Sequence, residues 1–188
     1  MKQLKQFELL KMMEAKETDK LVKELEALMS EGVELYMGRA LYYMYEVGKK
    51  EEYLETISAL ANKAKDYEIT DIKDMYTVQP FYMQYDTNKG GKGHYAEIIA
   101  KINGVDKAFY NDSLELEDLE WYLLGLIDTL AVTSEQIFEY YMTIIQLFKK
   151  AFKLWCSKNV EPSEVMQYVI DKACDMKVIL REKYQKGC

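Results

Sequence analysis

The sequence has little of what several common kinds of protein site require. Among its 188 residues there is one histidine, His94, and there are three cysteines that lie far apart. Because a zinc site needs several such ligands and a serine triad needs a histidine, the sequence predicts no metal site and no cofactor. Proline occurs only twice and glycine nine times, which leaves room for long uninterrupted helices.

Long apolar runs and an excess of basic residues are also missing. No stretch approaches the roughly 18 apolar residues that span a bilayer, and charges recur too often near the N-terminus for a signal peptide. We therefore expect a cytoplasmic protein with no membrane partner. Lysine and arginine total 25 against 32 acidic residues, a net charge of −7. Since each phosphate contact requires a basic side chain, we also expect no nucleic-acid partner.

Apolar residues make up 49% of the chain and recur mainly at three- and four-residue spacing, which is typical of amphipathic helices. Glycine, proline and polar clusters mark where the helices begin and end. In particular, Asn103-Gly104 is predicted to end one helix and 107–113 to be extended. At the N-terminus, 3–15 and 19–29 are predicted as one broken helix or two short ones. The further predicted helices are 32–48, 51–67, 74–87, 94–102, 115–130, 133–155 and 162–185.

A repeat organises these helices. The second helices of three helical pairs begin around Tyr53, Tyr95 and Phe138, which are 42 and 43 residues apart. A period of this size with two helices per unit predicts stacked α-hairpins, at about 32–67, 74–103 and 115–155, with flanking helices at both ends. We expect one all-α domain over 1–188, either a helical-repeat solenoid or a partial (α/α) toroid.

Four segments carry a family resemblance. Asp74-Met75-Tyr76-Thr77-Val78-Gln79-Pro80-Phe81-Tyr82 resembles the catalytic-aspartate helix of the unsaturated uronyl hydrolases, glycoside hydrolase families 88 and 105. Gly32–Met37, Trp121–Leu130 and, more faintly, Met166–Asp171 resemble further helices of that family in order and spacing. The resemblance covers roughly residues 30–155 and implies the toroid rather than the solenoid.

The resemblance also implies an activity and a site. These enzymes remove a 4,5-unsaturated uronic acid from oligosaccharides derived from pectin or glycosaminoglycans, and an aspartate protonates the double bond while water adds across it. Asp74 matches that acid/base position, and Asp71 would support it by raising its pKa through like-charge repulsion. Tyr76, Trp121 and Tyr42 are the candidate substrate-binding residues. The expected partners are an oligosaccharide and a second copy of the chain that completes the toroid.

Departures from the family pattern favour a second hypothesis. Where the family has a Trp, an Arg and a Gly before the Trp121 helix, this chain has Glu115, Glu117 and Glu120, so negative charge stands where a uronate should dock. The alternative is a catalytically silent α-hairpin scaffold for self-association or protein binding, and a third reading is an unrelated helical-repeat adaptor. The apolar stripe Phe148, Phe152 and Trp155 is expected either in the core or on the partner surface.

Overall fold

A computed structural model describes residues 2–48 and 51–180. Every element of regular secondary structure in these ranges is helical, which confirms the all-α prediction. The helices are α1 (Lys2–Glu14), α2 (Thr18–Glu31), α3 (Gly38–Gly48), α4 (Glu52–Asp66), α5 (Asp74–Asn88), α6 (Tyr95–Phe109), α7 (Leu116–Val132), α8 (Phe138–Ser157) and α9 (Glu164–Asp175), and a 3-10 turn at Leu35–Met37 precedes α3.

The chain divides into two compact units, Met1–Glu68 and Ile69–Cys188. In the first unit, α1 pairs with α2 and α3 pairs with α4, while α1 also packs on α3. Its core contains Leu21, Leu25, Leu41 and Ile57, all fully buried. The predictions of a single domain and of a partial toroid both depend on how all the hairpins are arranged together. They stay predictions.

The second unit contains two α-hairpins, α5–α6 and α7–α8. The first helices of the pairs, α5 and α7, pack together, and so do the second helices, α6 and α8. Tyr76 stacks on Trp121 near the starts of α5 and α7, and Thr87 donates a hydrogen bond to the Val132 carbonyl near their ends, at 2.8 Å. These contacts make α5 and α7 parallel, and α9 then packs on α7.

A buried carboxylate fixes the turn between α5 and α6. Asp86 is fully buried, and its carboxylate accepts the backbone N–H of His94 at 2.8 Å and lies 2.9 Å from Nδ1 of the same residue. A Cβ on Gly90 would collide with that carboxylate, so the turn requires glycine there. Gly90 therefore has a structural role in this turn.

Several predicted helix boundaries are wrong. α6 continues through Asn103 and Gly104 to Phe109, so the predicted end at 102 and the extended start at 107 both fail. A glycine inside a helix costs about 1 kcal/mol, and burial of Ile102 and Val105 on either side offsets that cost. Packing therefore outweighed the helix-ending signal of Asn103 and Gly104.

The last two helices also differ from their predictions. α8 begins at Phe138, after a turn at 134–137, rather than near 133. α9 ends at Asp175, ten residues before the predicted end, because Lys177 adopts a φ of 58° and the Val178 N–H bonds back to the Ala173 carbonyl. Predicted positions 181–185 lie outside the described residues. Within the described ranges, no helix is long and apolar enough to cross a membrane.

Candidate functional site

Asp74 is the first residue of α5 and is partly buried. Asp71, three residues earlier, is exposed, and its Oδ1 accepts the Lys73 N–H at 2.9 Å. Its carbonyl also accepts the Asp74 N–H at 3.1 Å. Asp71 therefore shapes the turn that leads into α5, a role that short polar side chains commonly have at helix starts.

A lysine stands among these carboxylates. Nζ of Lys73 lies 2.9 Å from Asp118 on α7 and 3.9 Å from Asp71. The hydrogen bond with Asp118, followed by the nearby charge of Asp71, raises the pKa of Lys73 above its ordinary value. Lys73 stays charged at neutral pH and ties the start of α5 to the start of α7. The predicted support of Asp74 by Asp71 through like-charge repulsion stays a prediction.

Two of the three aromatic residues predicted to bind substrate lie against each other. The ring centroids of Tyr76 and Trp121 are 5.8 Å apart with an interplanar angle of 21°. Tyr76 is 0% exposed and Trp121 is 7% exposed. Each ring therefore uses one face on the other, and little of either is left for a sugar to contact.

α5 and α7 also pack closely next to the Tyr76–Trp121 pair. A Cβ built on Gly125 of α7 would lie 2.6 Å from Cε of Met75 and 3.1 Å from Cα of Tyr76. A side chain at this position would force Met75 and the Tyr76 backbone to shift, so glycine favours this close approach of α5 and α7. We call the contact formed by Met75, Tyr76, Trp121 and Gly125 the α5–α7 seam.

Two acidic residues at the start of α7, Glu117 and Glu120, accept hydrogen bonds within the second unit. Glu120 is only 6% exposed and accepts hydrogen bonds from Nε1 of Trp155 at 3.0 Å and from Oγ of Ser163 at 2.5 Å. Because Ser163 also caps α9 by accepting the Met166 N–H, Glu120 links α7 to both α8 and α9. Exposed Glu117 accepts from Nε1 of Trp121 at 3.4 Å. Glu117 and Glu120 thus have structural partners inside the unit.

The remaining predicted residues are buried. Tyr42 lies in the first unit, is 1% exposed and makes an edge-to-face contact with Tyr45 at 6.1 Å. Phe148, Phe152 and Trp155 stack in sequence along α8 and are all buried. The open question about this stripe is thereby answered in favour of core packing.

An accessible groove lies elsewhere in the second unit, between the C-terminal half of α8 and the loop that follows α6. Its volume is about 730 Å³. Three lysines and one aspartate are among its lining residues, with a tyrosine ring and a leucine supplying apolar surface. We call it the basic groove, and its lining residues are Tyr110, Asp112, Lys150, Lys153, Leu154, Ser157 and Lys158.

A network of side chains fixes one wall of the basic groove. Nζ of Lys150 lies 2.8 Å from Oδ2 of Asp106 and 3.9 Å from the centre of the Tyr110 ring. The Tyr122 hydroxyl donates to the same Asp106 at 3.1 Å. Burial, reinforced by the negative charge of Asp106, holds the pKa of Tyr122 far above its ordinary value, so its hydroxyl remains a donor at neutral pH.

None of the groove residues was among the site residues predicted from the sequence. One local signal is available, because 150, 153, 154 and 157 recur at three- and four-residue spacing and share one face of α8. The other wall comes from Tyr110 and Asp112, some 40 residues away in sequence.

Within the described ranges, no group of three or more His, Cys, Asp or Glu side chains is arranged to hold a metal ion.

Comparisons with protein-family models, with curated proteins and with solved structures find no match to this chain. The described structure by itself defines an all-α protein built from helical hairpins. The resemblance to the unsaturated uronyl hydrolases, with the activity and site that it implies, stays a prediction.

Proposed function

We propose that this protein is a non-catalytic α-hairpin scaffold that binds another protein. The observation that carries the proposal is the closed α5–α7 seam. Tyr76 and Trp121, two of the aromatic residues that would contact a sugar, are stacked on each other and buried. Ligand sites in enzymes are concave and usually formed in advance, so a closed contact at the expected position favours a structural role for these residues.

The charges near Asp74 also favour the scaffold. Glu117 occupies the position at which the resembling family has an arginine, and Asp118 is paired with Lys73. A uronate brought beside Glu117 would meet a like charge, which costs on the order of 1–4 kcal/mol at contact distance. It would also lack the bidentate pairing that an arginine gives to a carboxylate.

An unsaturated uronyl hydrolase is the second candidate. Asp74 is partly exposed at the first turn of α5, where a carboxyl group is accessible to solvent, and the adjacent Lys73 supplies a cation. Asp74 and Lys73 thus place an acid and a positive charge at the N-terminal end of α5, which favours that candidate. It requires the α5–α7 seam to open when an oligosaccharide binds.

The deciding experiment follows the ultraviolet absorbance of the unsaturated bond in a panel of unsaturated pectin and glycosaminoglycan disaccharides. We expect no decay with the natural protein, and none with Asp74→Asn. Decay that disappears in Asp74→Asn would overturn the scaffold proposal and establish the hydrolase. Equal decay in both proteins would indicate a contaminating enzyme, and the assay would then be repeated on material purified from a different expression host.

Sedimentation velocity tests whether the bound protein is a second copy of the chain. A dimer mass at micromolar concentration would support self-association, as expected if two copies complete a toroid. A monomer across the accessible concentration range would count against the shared toroid and direct the proposal to a different protein.

A further inference from the structure

We infer that the basic groove is a binding site for an acidic peptide segment that also carries apolar side chains. The inference rests on the proposed scaffold function and names the surface and the chemistry of its partner. Although the net charge of the chain is −7, three lysines, Lys150, Lys153 and Lys158, line this one groove.

The lysines have different roles. Lys150 is held in place by Asp106 and covers the Tyr110 ring, so it forms part of the wall. Nζ of Lys158 donates a hydrogen bond to the backbone carbonyl of Asp112 at 3.2 Å. Because a carbonyl carries no net charge, this contact does not neutralise the positive charge of Lys158. Lys153 is exposed, and no ion pair joins it to any residue in the described ranges. Lys153 and Lys158 are therefore the cations that face a ligand.

The apolar part of the lining distinguishes a peptide from a simple anion. Leu154 and Tyr110 lie beside the lysines and are both partly exposed, with Lys150 covering one face of the Tyr110 ring. An inorganic phosphate would leave these surfaces unused, whereas a leucine or aromatic side chain flanked by carboxylates would cover them. Burial and the nearby charges of Asp112 and Asp106 raise the pKa of Tyr110, so its hydroxyl remains neutral at physiological pH.

Nucleic acid is the less favoured occupant. Oligonucleotide binding depends on many phosphate contacts, and only two lysines of this groove are directed to a ligand. A short acidic peptide requires fewer contacts of the same kind and gains from the apolar ones.

The test uses the full-length chain and a fluorescein-labelled peptide of alternating glutamate and leucine, with binding measured by fluorescence anisotropy. The key variant is Lys153→Glu. Its matched control is Lys149→Glu, another exposed lysine on α8 that does not line the groove. We expect about five- to tenfold weaker binding for Lys153→Glu and a change below about twofold for Lys149→Glu.

Two further probes complete the test. A peptide with serine in place of every leucine should bind more weakly, and equal binding would overturn the inference because charge alone would then suffice. An oligouridylate that binds more tightly than the acidic peptide would overturn the choice of partner. Equal losses in Lys153→Glu and Lys149→Glu would overturn the choice of groove.

The outcomes separate this inference from the proposed function. Absence of peptide binding, in a protein that also leaves the unsaturated disaccharides intact, would overturn the basic groove as a site and leave the scaffold in place. Hydrolysis that depends on Asp74 would overturn the scaffold whatever the peptide does. Circular dichroism and the thermal midpoint of each variant establish that the fold is retained.

Discussion

The α5–α7 seam and the basic groove use similar residues in opposite ways. In the seam, Tyr76 and Trp121 lie face to face and are almost wholly buried. In the groove, Tyr110 is partly exposed beside lysines. Aromatic residues are common to both regions, so their presence alone does not locate a site. Their exposure and the partners they already have distinguish the two.

The contrast extends to charge. The carboxylate of Glu120 near the seam is enclosed by Trp155 and Ser163, which satisfy it. In the groove, Asp106 fixes Lys150, but Lys153 extends into solvent without an ion pair in the described ranges. One region thus uses its charged groups to hold helices together, and the other retains charge for a ligand. Four substitutions or conditions test this comparison, in order of decreasing expected effect.

Gly125→Val should open the seam. The added carbons would collide with Cε of Met75 and with the Tyr76 backbone, which cannot move away cheaply. We expect a loss of about 3 kcal/mol in the free energy of unfolding. Urea unfolding followed by tryptophan fluorescence measures it, and both tryptophans, Trp121 and Trp155, belong to the second unit.

The matched control for the seam is Gly104→Ala. Gly104 lies inside α6, and a Cβ there has no neighbour within 4 Å. Because alanine favours a helix more than glycine does, this variant should be more stable by about 0.5–1 kcal/mol. Equal losses in the two variants would contradict the close packing argued for Gly125.

Glu120→Gln should weaken the connection from α7 to α8 and α9. The change removes the charge that strengthens the bonds from Trp155 and Ser163, and we expect a loss of about 2 kcal/mol. Glu117→Gln, at an exposed position on the same helix, should change stability by less than about 0.5 kcal/mol. If Glu117→Gln proved the more harmful of the two, Glu120 would not be the structural carboxylate.

Stability should fall as the pH rises above about 10. The pKa of Tyr122 is raised in the folded protein, so the unfolded chain loses its phenolic proton first and binds fewer protons than the folded chain. The contribution of Tyr122 is fully present below pH 10 and decreases by about 1.4 kcal/mol per pH unit above it.

Denaturant midpoints measured across the alkaline range check this dependence, with Tyr122→Phe for comparison. The variant should lose a part of the slope and keep a remainder, since burial also raises the pKa of Tyr36, Tyr110 and Tyr141. An identical slope in both proteins would show that Tyr122 is not the buried phenol responsible.

Asp74→Asn should have the smallest effect. A carboxylate in the first turn of α5 interacts favourably with the helix dipole, and its removal should cost about 0.5 kcal/mol. Thermal unfolding of Asp74→Asn beside Asp74→Glu, which keeps the charge, measures this contribution. A loss above about 2 kcal/mol would instead indicate a buried structural contact for Asp74.

Helical periodicity was enough to predict the fold class, and it located helices such as Glu52–Asp66 and Asp74–Asn88 within a residue of their ends. The predicted helix ends were wrong where burial outweighed a local helix-ending signal, as at Gly104, and where a positive φ at Lys177 ended α9 early. The site was harder to predict. The basic groove joins α8 to a loop some 40 residues away, and no one-dimensional spacing reveals that Tyr110 and Lys150 are in contact.

The most direct test of the account is hydrogen–deuterium exchange on the full-length protein with each ligand in turn. The acidic peptide should slow exchange at 106–112 and 150–158 and leave 74–80 and 116–122 unchanged. A saturating unsaturated disaccharide should change none of these segments. Protection of 74–80 and 116–122 by the disaccharide, with no effect of the peptide, would show that the α5–α7 seam is the binding site and would contradict the account.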